Sequence, residues 1–306
     1  MLARLKQLRD SDFLYHFVRD KIALTSFIVV AVLVLSAAFA PLLTSHNPYD
    51  GASIDVMNAE TPPSWKAGGS AEFLLGTDAQ GRDMFSAILY GMRVSILIGM
   101  GAVALQASLG ILIGLMAGYG SKRLDSLLMR VTDVQLSFSS YMVAIFFGAV
   151  IQAAFGVAKF AEIAVPFIVL VIGLSEWPQY ARTVRASVLA EKKKEYVEAA
   201  RVIGLKPRRI MWRHILPNTL TPVLVISTVQ VANAIMSEAA LSFLGLGMPV
   251  NQPSLGSLIK SGFEYIFSGS WWITLFPGVV LVLLVLTINL LGDWLRDYLN
   301  PKLYKD

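Results

Sequence analysis

Six long apolar runs restrict this chain to one class of structure. They cover residues 22–43, 94–119, 131–155, 161–177, 219–245 and 271–291. Each approaches or exceeds the roughly 20 residues that an α-helix needs to cross the hydrocarbon core of a bilayer. Only 15% of the 306 residues are charged, whereas about a quarter are charged in soluble domains. The sequence therefore predicts an all-α, polytopic membrane protein with six transmembrane helices.

The basic residues are distributed unequally between the two sides of these spans. With the N-terminus in the cytoplasm, 21 of the 26 Lys and Arg residues fall on the cytoplasmic side, as the positive-inside rule requires. Both termini are then cytoplasmic. The predicted segments are a cytoplasmic N-terminus with the first span, an external loop, a core transmembrane domain and a cytoplasmic tail: 1–43, 44–93, 94–292 and 293–306.

A cleaved signal peptide is the alternative for the first span. Ala38, Phe39 and Ala40 resemble a signal-peptidase site that follows a basic start and an apolar run. The apolar run continues to Leu43, however, which is longer than the 7–15 residues usual in signal peptides, and Pro41 would follow the cut directly. We therefore expect the first span to be retained.

Residues typical of several other protein classes are missing from the sequence. It has no cysteine and three widely separated histidines, His16, His46 and His214, so no metal site and no integral membrane enzyme is expected. No GxxxxGK[ST] phosphate loop is present, so the chain is not expected to bind ATP. A secondary transporter would need charges along its spans or inverted repeats with broken helices, and a nucleic-acid module would need aromatic residues among the basic ones. Neither pattern is evident.

The external loop ends in the stretch LLGTDAQGRDMFSAILYG. Thr77 followed by Gln80 has the pattern of a capping box, and the apolar residues at 85, 88 and 89 repeat at helical spacing. These signals predict a short interfacial helix that leads into the second span.

The spans themselves carry two further patterns. Gly110, Gly114 and Gly118 form a small-xxx-small face, which is typical of closely packed membrane helices. Polar residues within or near spans are often functional, and they are our candidates for pathway or structural roles: Gln106, Gln230, Asn233 and Glu238.

A long charged segment, 182–218, separates the fourth and fifth spans. We predict two helices with a corner between them, because Gly204 suits the left-handed position that ends a helix and Pro207 suits a first helical position. The second helix should end before Pro217. The small residues beside this corner, Ala199 and Ala200, would let another protein approach closely. Docking of a cytoplasmic partner is therefore favoured over a helix that lies on lipid.

Two stretches of this segment, EAARVIG and HILPN, resemble the EAA loop of permease subunits of ATP-binding-cassette importers. The residues that match in type and spacing are Glu198, Ala199, Ala200, Gly204, Leu216 and Pro217; with Leu205, Pro207 and His214 they form the expected ATPase-coupling site. His214 stands where the broad family often has an aliphatic residue, whereas its peptide-importer branch often has histidine there.

Three other stretches resemble signatures of the dipeptide, oligopeptide and nickel permease family. GTDAQGRD contributes Gly76, Thr77, Asp78, Gly81, Arg82 and Asp83; the others are EAALSFLGLG and NLLGDWLRDYLNPKL. The length and the extra first span are similar to those of the second, C-type permease. QPSLGSLI departs from the family, in which many members have Trp before the Gly, and this leaves the substrate class open.

The resemblance implies a type I ABC importer fold with a cytoplasmic coupling-helix loop, in a bacterial inner membrane. It implies as partners a homologous permease, two cytoplasmic ATPases, an external substrate-binding protein and membrane lipid, without nucleic acid. ATP and Mg²⁺ would be bound by the ATPases and no cofactor by this chain. Di- and oligopeptides are the leading substrates, and the family also carries nickel chelates, glutathione, opines and small oligosaccharides. Co-purification of an ATPase would separate this interpretation from a secondary transporter.

Overall fold

The computed structural model describes residues 12–44, 46–51, 54–249 and 251–299. The predicted cytoplasmic ends at 1–11 and 300–306 lie outside the described residues. The helices, in chain order, are α1, Asp12–Arg19; α2, Lys21–Ala38; α3, Met84–Tyr119; α4, Lys122–Leu136; α5, Ser140–Ala154; α6, Lys159–Glu191; α7, Glu195–Val202; α8, Pro207–Phe243; α9, Leu255–Phe263; and α10, Trp272–Tyr298. The described residues also contain two one-turn helices, Ala40–Leu43 and Val56–Asn58, and an isolated antiparallel bridge between Thr77 and Asp83.

Among the described residues, five helices are long and apolar enough to cross a membrane: α2, α3, α6, α8 and α10. The pair α4 and α5 adds a sixth span if the two are counted together. This agrees with the six predicted spans, but the third span is not the single straight helix that we predicted. Its two helices meet at 76°, because Ser139 takes an extended backbone conformation and begins a new helix there.

The second span also begins earlier than predicted. No separate interfacial helix precedes it, because α3 runs without a break from Met84 to Tyr119. The proposed capping box is wrong as well. The Thr77 hydroxyl donates to the Asn58 carbonyl oxygen instead, and the left-handed turn at Gly81 (φ 82°) intervenes before the helix. Asp83 caps α3 by accepting from the Ser86 amide at 2.9 Å.

The described chain divides into two compact units. The first contains the residues up to Ile96 and those after 250, so that α2 and α9 pack on α10. Phe13 and Phe17 of α1 meet Trp294 of α10 edge to face, with ring centroids 5.2 and 4.9 Å apart. The N-terminal helix and the end of α10 therefore lie on the same side of any membrane that these helices span.

The loop at 44–93 is tied to the helices of this first unit by long-range hydrogen bonds. The Tyr49 hydroxyl donates to the Tyr90 carbonyl oxygen at 3.2 Å, and the Trp272 indole donates to the Thr77 carbonyl oxygen at 3.0 Å. Ser270 donates to the Glu60 carboxylate at 2.6 Å. These bonds satisfy polar groups that a loosely held loop would leave to water, so the loop is a folded cap.

The second unit, Leu97–Pro249, contains the rest of α3 and helices α4 to α8. Three glycines spaced four residues apart along α3 let it pack closely against α6. A Cβ at Gly114 would lie 2.6 Å from the Ala181 carbonyl oxygen, and one at Gly118 would lie 2.7 Å from Val188 Cβ. A Cβ at Gly110 would overlap the Tyr180 side chain. The small-xxx-small face is thus confirmed as a packing surface within the chain.

Replacing Gly114 with alanine should destabilise the protein. The added methyl group would push against helix backbone, and overpacking of this kind typically costs about 1–3 kcal/mol. The apparent melting temperature in detergent should fall clearly below that of the wild type. Gly278→Ala is the matched control, because a Cβ there would meet no atom within 4 Å. Equal melting temperatures for the two variants would show that the close approach of α3 and α6 is not required.

Candidate functional site

The charged segment, 182–218, forms a corner that consists of the end of α6, the short helix α7 and the start of α8. Helix α6 continues through the first part of the segment and ends at Glu191, so the first of the two predicted helices is interrupted. Lys194 takes an extended conformation (φ −81°, ψ 149°) and α7 begins after it. Lys192 does not continue the helix, and its ammonium group donates to the Tyr119 carbonyl oxygen at 3.2 Å. A cation there stabilises the unpaired carbonyl groups at the end of α3.

Gly204 ends α7 as the sequence predicts. Its φ is 83°. Two backbone hydrogen bonds close the turn: Gly204 N–H donates to the Arg201 oxygen at 2.9 Å, and Leu205 N–H donates to the Ala200 oxygen at 3.1 Å. This is the Schellman arrangement, which favours glycine. A Cβ at Gly204 would meet no atom of this chain within 4 Å, so the glycine is required by its backbone conformation.

Pro207 begins the next helix as predicted, but that helix does not end before Pro217. It continues through a π-helical turn, Met211–Ile215, into the fifth span. Because Pro217 has no amide proton, the Arg213 carbonyl oxygen lacks its usual α-helical donor. The hydrogen bond from Leu216 N–H to the Met211 oxygen spans five residues. Such π turns are often found at functional sites.

The exposed surface of the corner differs from the surface that we predicted. Ala200 is only 4% exposed and packs inside the chain with Val197, whereas Glu198 and Ala199 face outward. Val202 and Ile203 are 88% and 76% exposed. The basic residues around them are also exposed: Arg201, Lys206, Arg208 and Arg209. Two exposed apolar side chains within a basic rim are typical of a surface that another protein covers.

The sequence gives only a partial signal for the exposed pair. Val197 and Ala200 lie three residues apart and share one helical face. Val202 falls outside that spacing, whereas Ile203 lies three residues after Ala200 but beyond the end of α7 at Val202.

Hydrogen bonds between polar side chains also connect the parts of the corner. Tyr196 of α7 donates its hydroxyl proton to Glu191 Oε2 at 2.6 Å, and Lys194 binds the other oxygen, Oε1, at 2.6 Å. Asn218 Nδ2 donates to the Tyr196 hydroxyl at 3.1 Å and to the His214 carbonyl oxygen at 2.8 Å. Burial, together with the hydrogen bond to Glu191, raises the pKa of Tyr196 to about 12.

Three of the four candidate pathway residues are enclosed within the second unit. Gln106 is 1% exposed and donates to the Ile172 carbonyl oxygen at 3.3 Å. Glu238 is fully buried and accepts from the Ser242 hydroxyl at 2.7 Å. Gln230 is 1% exposed, and its Oε1 accepts from the exposed Asn233 at 2.8 Å. Burial favours the structural alternative for these three, and a pathway role stays a prediction.

The signature GTDAQGRD folds into compact, hydrogen-bonded turns that lead into α3. Asp78 and Arg82 are 1% and 4% exposed, and Arg82 Nε donates to Asp78 Oδ2 at 2.6 Å. The other carboxylate oxygen, Asp78 Oδ1, accepts from the amides of Gln80 and Arg82, each at 2.9 Å. A Cβ at Gly76 would lie 2.5 Å from the Thr61 oxygen, and one at Gly81 would overlap the Asp55 oxygen. The motif therefore has a structural role in this chain.

An apolar cavity of about 1120 Å³ opens beside α4, α5 and α6 in the second unit. Its lining includes Phe138, Met142, Phe146 and Phe167, with Gln135 as one of few polar groups. No group of three potential metal ligands occurs among the described residues.

Two families match this sequence. "Binding-protein-dependent transport system inner membrane component" matches residues 110–305, and "N-terminal TM domain of oligopeptide transport permease C" matches residues 11–63.

Curated relatives match almost the whole chain. The Pseudomonas aeruginosa protein named "Di/tripeptide transport system permease protein DppC" is 38% identical over 95% of this chain and 92% of its own length. The Escherichia coli "Dipeptide transport system permease protein DppC" is 38% identical over 95% and 93%. A "Putative peptide transport system permease protein" of Brucella suis is 40% identical over 90% and 86%.

Among solved structures, "Inward facing conformations of the MetNI methionine ABC transporter" contains a chain with a similar fold. The TM-score is 0.57 at 18% identity, and the match covers 71% of this chain and 98% of that one. The likeness supports the fold alone.

Proposed function

The chain belongs to the family of binding-protein-dependent transport system inner membrane components, and from that premise we propose that it forms half of the pathway by which an ATP-driven importer carries di- or oligopeptides. The chain is a multi-pass inner-membrane permease subunit of an importer. The observation that carries the peptide proposal is identity of 35–40% to peptide permeases over at least 90% of the chain.

Peptide uptake by cells that lack this chain tests the substrate. Uptake of a labelled dipeptide should fall to background when the chain is absent and return when it is supplied. Uptake of a nickel chelate should not change. Normal peptide uptake together with lost nickel-chelate uptake would replace the peptide proposal.

We further propose that the corner at α7 contacts a cytoplasmic ATPase. Its exposed apolar pair, Val202 and Ile203, and the basic rim around it suit a protein surface that is apolar at its centre and acidic at its edge. Glu198 and Ala199 lie on the exposed side of the same helix, whereas Ala200 and Leu205 support the turn from within. ATP and Mg²⁺ would be bound and used by the ATPases, and this chain would carry out no reaction itself.

The remaining partners follow from the same proposal. A homologous permease would supply the other half of the pathway, and an external binding protein would deliver the substrate to the side that carries the loop at 44–93. Lipid would cover the exposed apolar faces of the spans, and no nucleic acid is involved. We retain the division into 1–43, 44–93, 94–292 and 293–306, with the first turns of α3 lying within 44–93.

Topology gives a second test, and it needs no mutation of native cysteines because the chain has none. Ser70→Cys should react with a membrane-impermeant thiol reagent in spheroplasts, whereas the exposed Lys193→Cys should react only after the membrane is opened. This expectation rests on the excess of basic residues on one side. Reversed labelling would place α7 outside the cell and remove the proposed ATPase contact.

A further inference from the structure

The Tyr196 hydroxyl lies where three helices of the second unit meet. It bonds to Glu191, the last residue of α6, and to Asn218, near the start of the fifth span within α8. Tyr196 itself is in the first turn of α7. One hydroxyl group therefore connects the helix that forms the corner to both spans that flank it in the sequence.

The hydrogen bond between Tyr196 and Glu191 is stronger than one between neutral groups. Glu191 is only 9% exposed, and charge-assisted bonds to such a carboxylate are about twice as strong as neutral ones. Asn218 uses its single amide nitrogen for two bonds, one to Tyr196 and one to the His214 oxygen in the π-helical turn. Each member of the group therefore has a partner on a different segment of chain.

Helix α7 is not continuous with the helix on either side of it. Short non-helical connections join it to its neighbours, Lys192 to Lys194 before it and Ile203 to Lys206 after it. The buried side chains of Val197 and Ala200 hold α7 against the protein, but apolar contacts have no preferred direction. Hydrogen bonds do have one, and the bonds of Tyr196 are directed to α6 and α8.

We propose that Tyr196, together with Glu191 and Asn218, is a positioning group that makes α7 move as one body with the end of α6 and the start of α8. A displacement of α7 by the ATPase is then passed to the two spans. This inference rests on the proposed function, because it assumes that α7 is the surface that the ATPase contacts. Coupling of this kind requires a physical element that both sites bias, and the three-residue group supplies it.

Tyr196→Phe tests the proposal, because it removes one oxygen atom and keeps the ring. The experiment uses the complete importer, reconstituted in liposomes with its ATPases and binding protein, and a dipeptide as the probe. We expect the ATPases to co-purify and basal ATP hydrolysis to be retained. Stimulation of hydrolysis by the peptide-loaded binding protein should fall about tenfold, the size expected for loss of one charge-assisted hydrogen bond.

Tyr141→Phe is the matched control. Tyr141 is 40% exposed, and the same single oxygen is removed at a site away from the corner. Its stimulation should equal that of the wild type.

A double variant separates positioning from general stability. Asn218→Ala should reduce stimulation as Tyr196→Phe does. The double variant, Tyr196→Phe with Asn218→Ala, should lose no more stimulation than the more severe single variant, because both changes break the same connection. A purely structural role would instead lower the melting temperature and basal hydrolysis together and in an additive manner, which would overturn the proposal.

A third variant, Glu191→Gln, keeps a hydrogen-bond acceptor without the charge and should give an intermediate loss of stimulation.

The outcomes also distinguish this inference from the proposed function. If the wild-type chain retains its ATPases and Tyr196→Phe is stimulated normally, the positioning role is wrong and the ATPase contact stands. If the wild-type chain retains no ATPase under any condition, the proposed function itself fails.

Discussion

Replacing Val202 and Ile203 together with aspartate is expected to reduce transport at least a hundredfold while the chain still inserts normally. Both side chains are largely exposed, at 88% and 76%, so few contacts within the chain are lost. If an ATPase covers them, two carboxylates would be buried without partners, at a cost of several kcal/mol. Each 1.4 kcal/mol is a factor of ten in affinity. Peptide uptake and the amount of ATPase retained on purification measure the effect.

Two companion changes separate the surface from the backbone turn. Val202→Ser with Ile203→Ser removes the apolar contact without adding charge and should weaken retention less than the aspartate pair. Gly204→Val strains a backbone position with φ of 83°, whereas Gly204→Asn is tolerated in that region. We expect Gly204→Val to lose transport and Gly204→Asn to keep most of it. Full transport and full ATPase retention in the aspartate pair and in Gly204→Val would make α7 a lipid-surface helix.

The spans were predictable because the bilayer requires each to be apolar over a fixed length. Their ends were less predictable, because a helix does not stop where its apolar stretch stops. Helix α3 begins at Met84, ten residues before the predicted span, once Asp83 supplies a cap. Helix α6 likewise runs beyond the predicted end of its span to Glu191. Backbone hydrogen bonds and caps decide these boundaries, and hydropathy does not report them.

The bend between α4 and α5 shows a different limit. No proline or glycine occurs between Leu136 and Ser140 to announce a break. Ser139 leaves the helical conformation. Serine favours caps but also occurs on helix surfaces, so one serine does not by itself predict a break. A tertiary contact favours the break at this position, because the Ser140 hydroxyl donates to the Glu176 carboxylate of α6 at 2.6 Å.

At the corner, the local signals at Gly204 and Pro207 were reliable, whereas the predicted stop before Pro217 and the orientation of α7 were not. Gly204 and Pro207 act through their own backbone conformations, and both behave as predicted. Which face of α7 is buried depends on the helices packed around it, so Ala200 points inward and Val202 outward. The roles within GTDAQGRD were hidden for the same reason, since Gly81 is required by the Asp55 carbonyl oxygen, 26 positions earlier in the sequence.

Arg82→Ala is expected to be strongly destabilising for the folded cap that the loop at 44–93 forms. The side chains of Arg82 and Asp78 are 3% and 1% exposed, so the truncation leaves a buried carboxylate without its ion-pair partner. Removing one member of a buried ion pair typically costs about 3–5 kcal/mol. The cap should become sensitive to limited proteolysis, and the steady-state amount of chain should fall. Arg93→Ala, at an exposed arginine, should change stability by no more than about 0.5 kcal/mol.

The double variant decides whether the lone charge causes the loss. Asp78→Ala with Arg82→Ala leaves no unpaired buried charge, and replacing both partners of a buried pair is often far less costly than replacing one. It should therefore recover part of the protease resistance, although the amides of Gln80 and Arg82 lose their acceptor. If the double variant is as sensitive to protease as Arg82→Ala, the hydrogen bonds from those amides stabilise the signature segment. If Arg82→Ala is as resistant to protease as the wild type, the turns at Gly76 and Gly81 are sufficient to hold the segment.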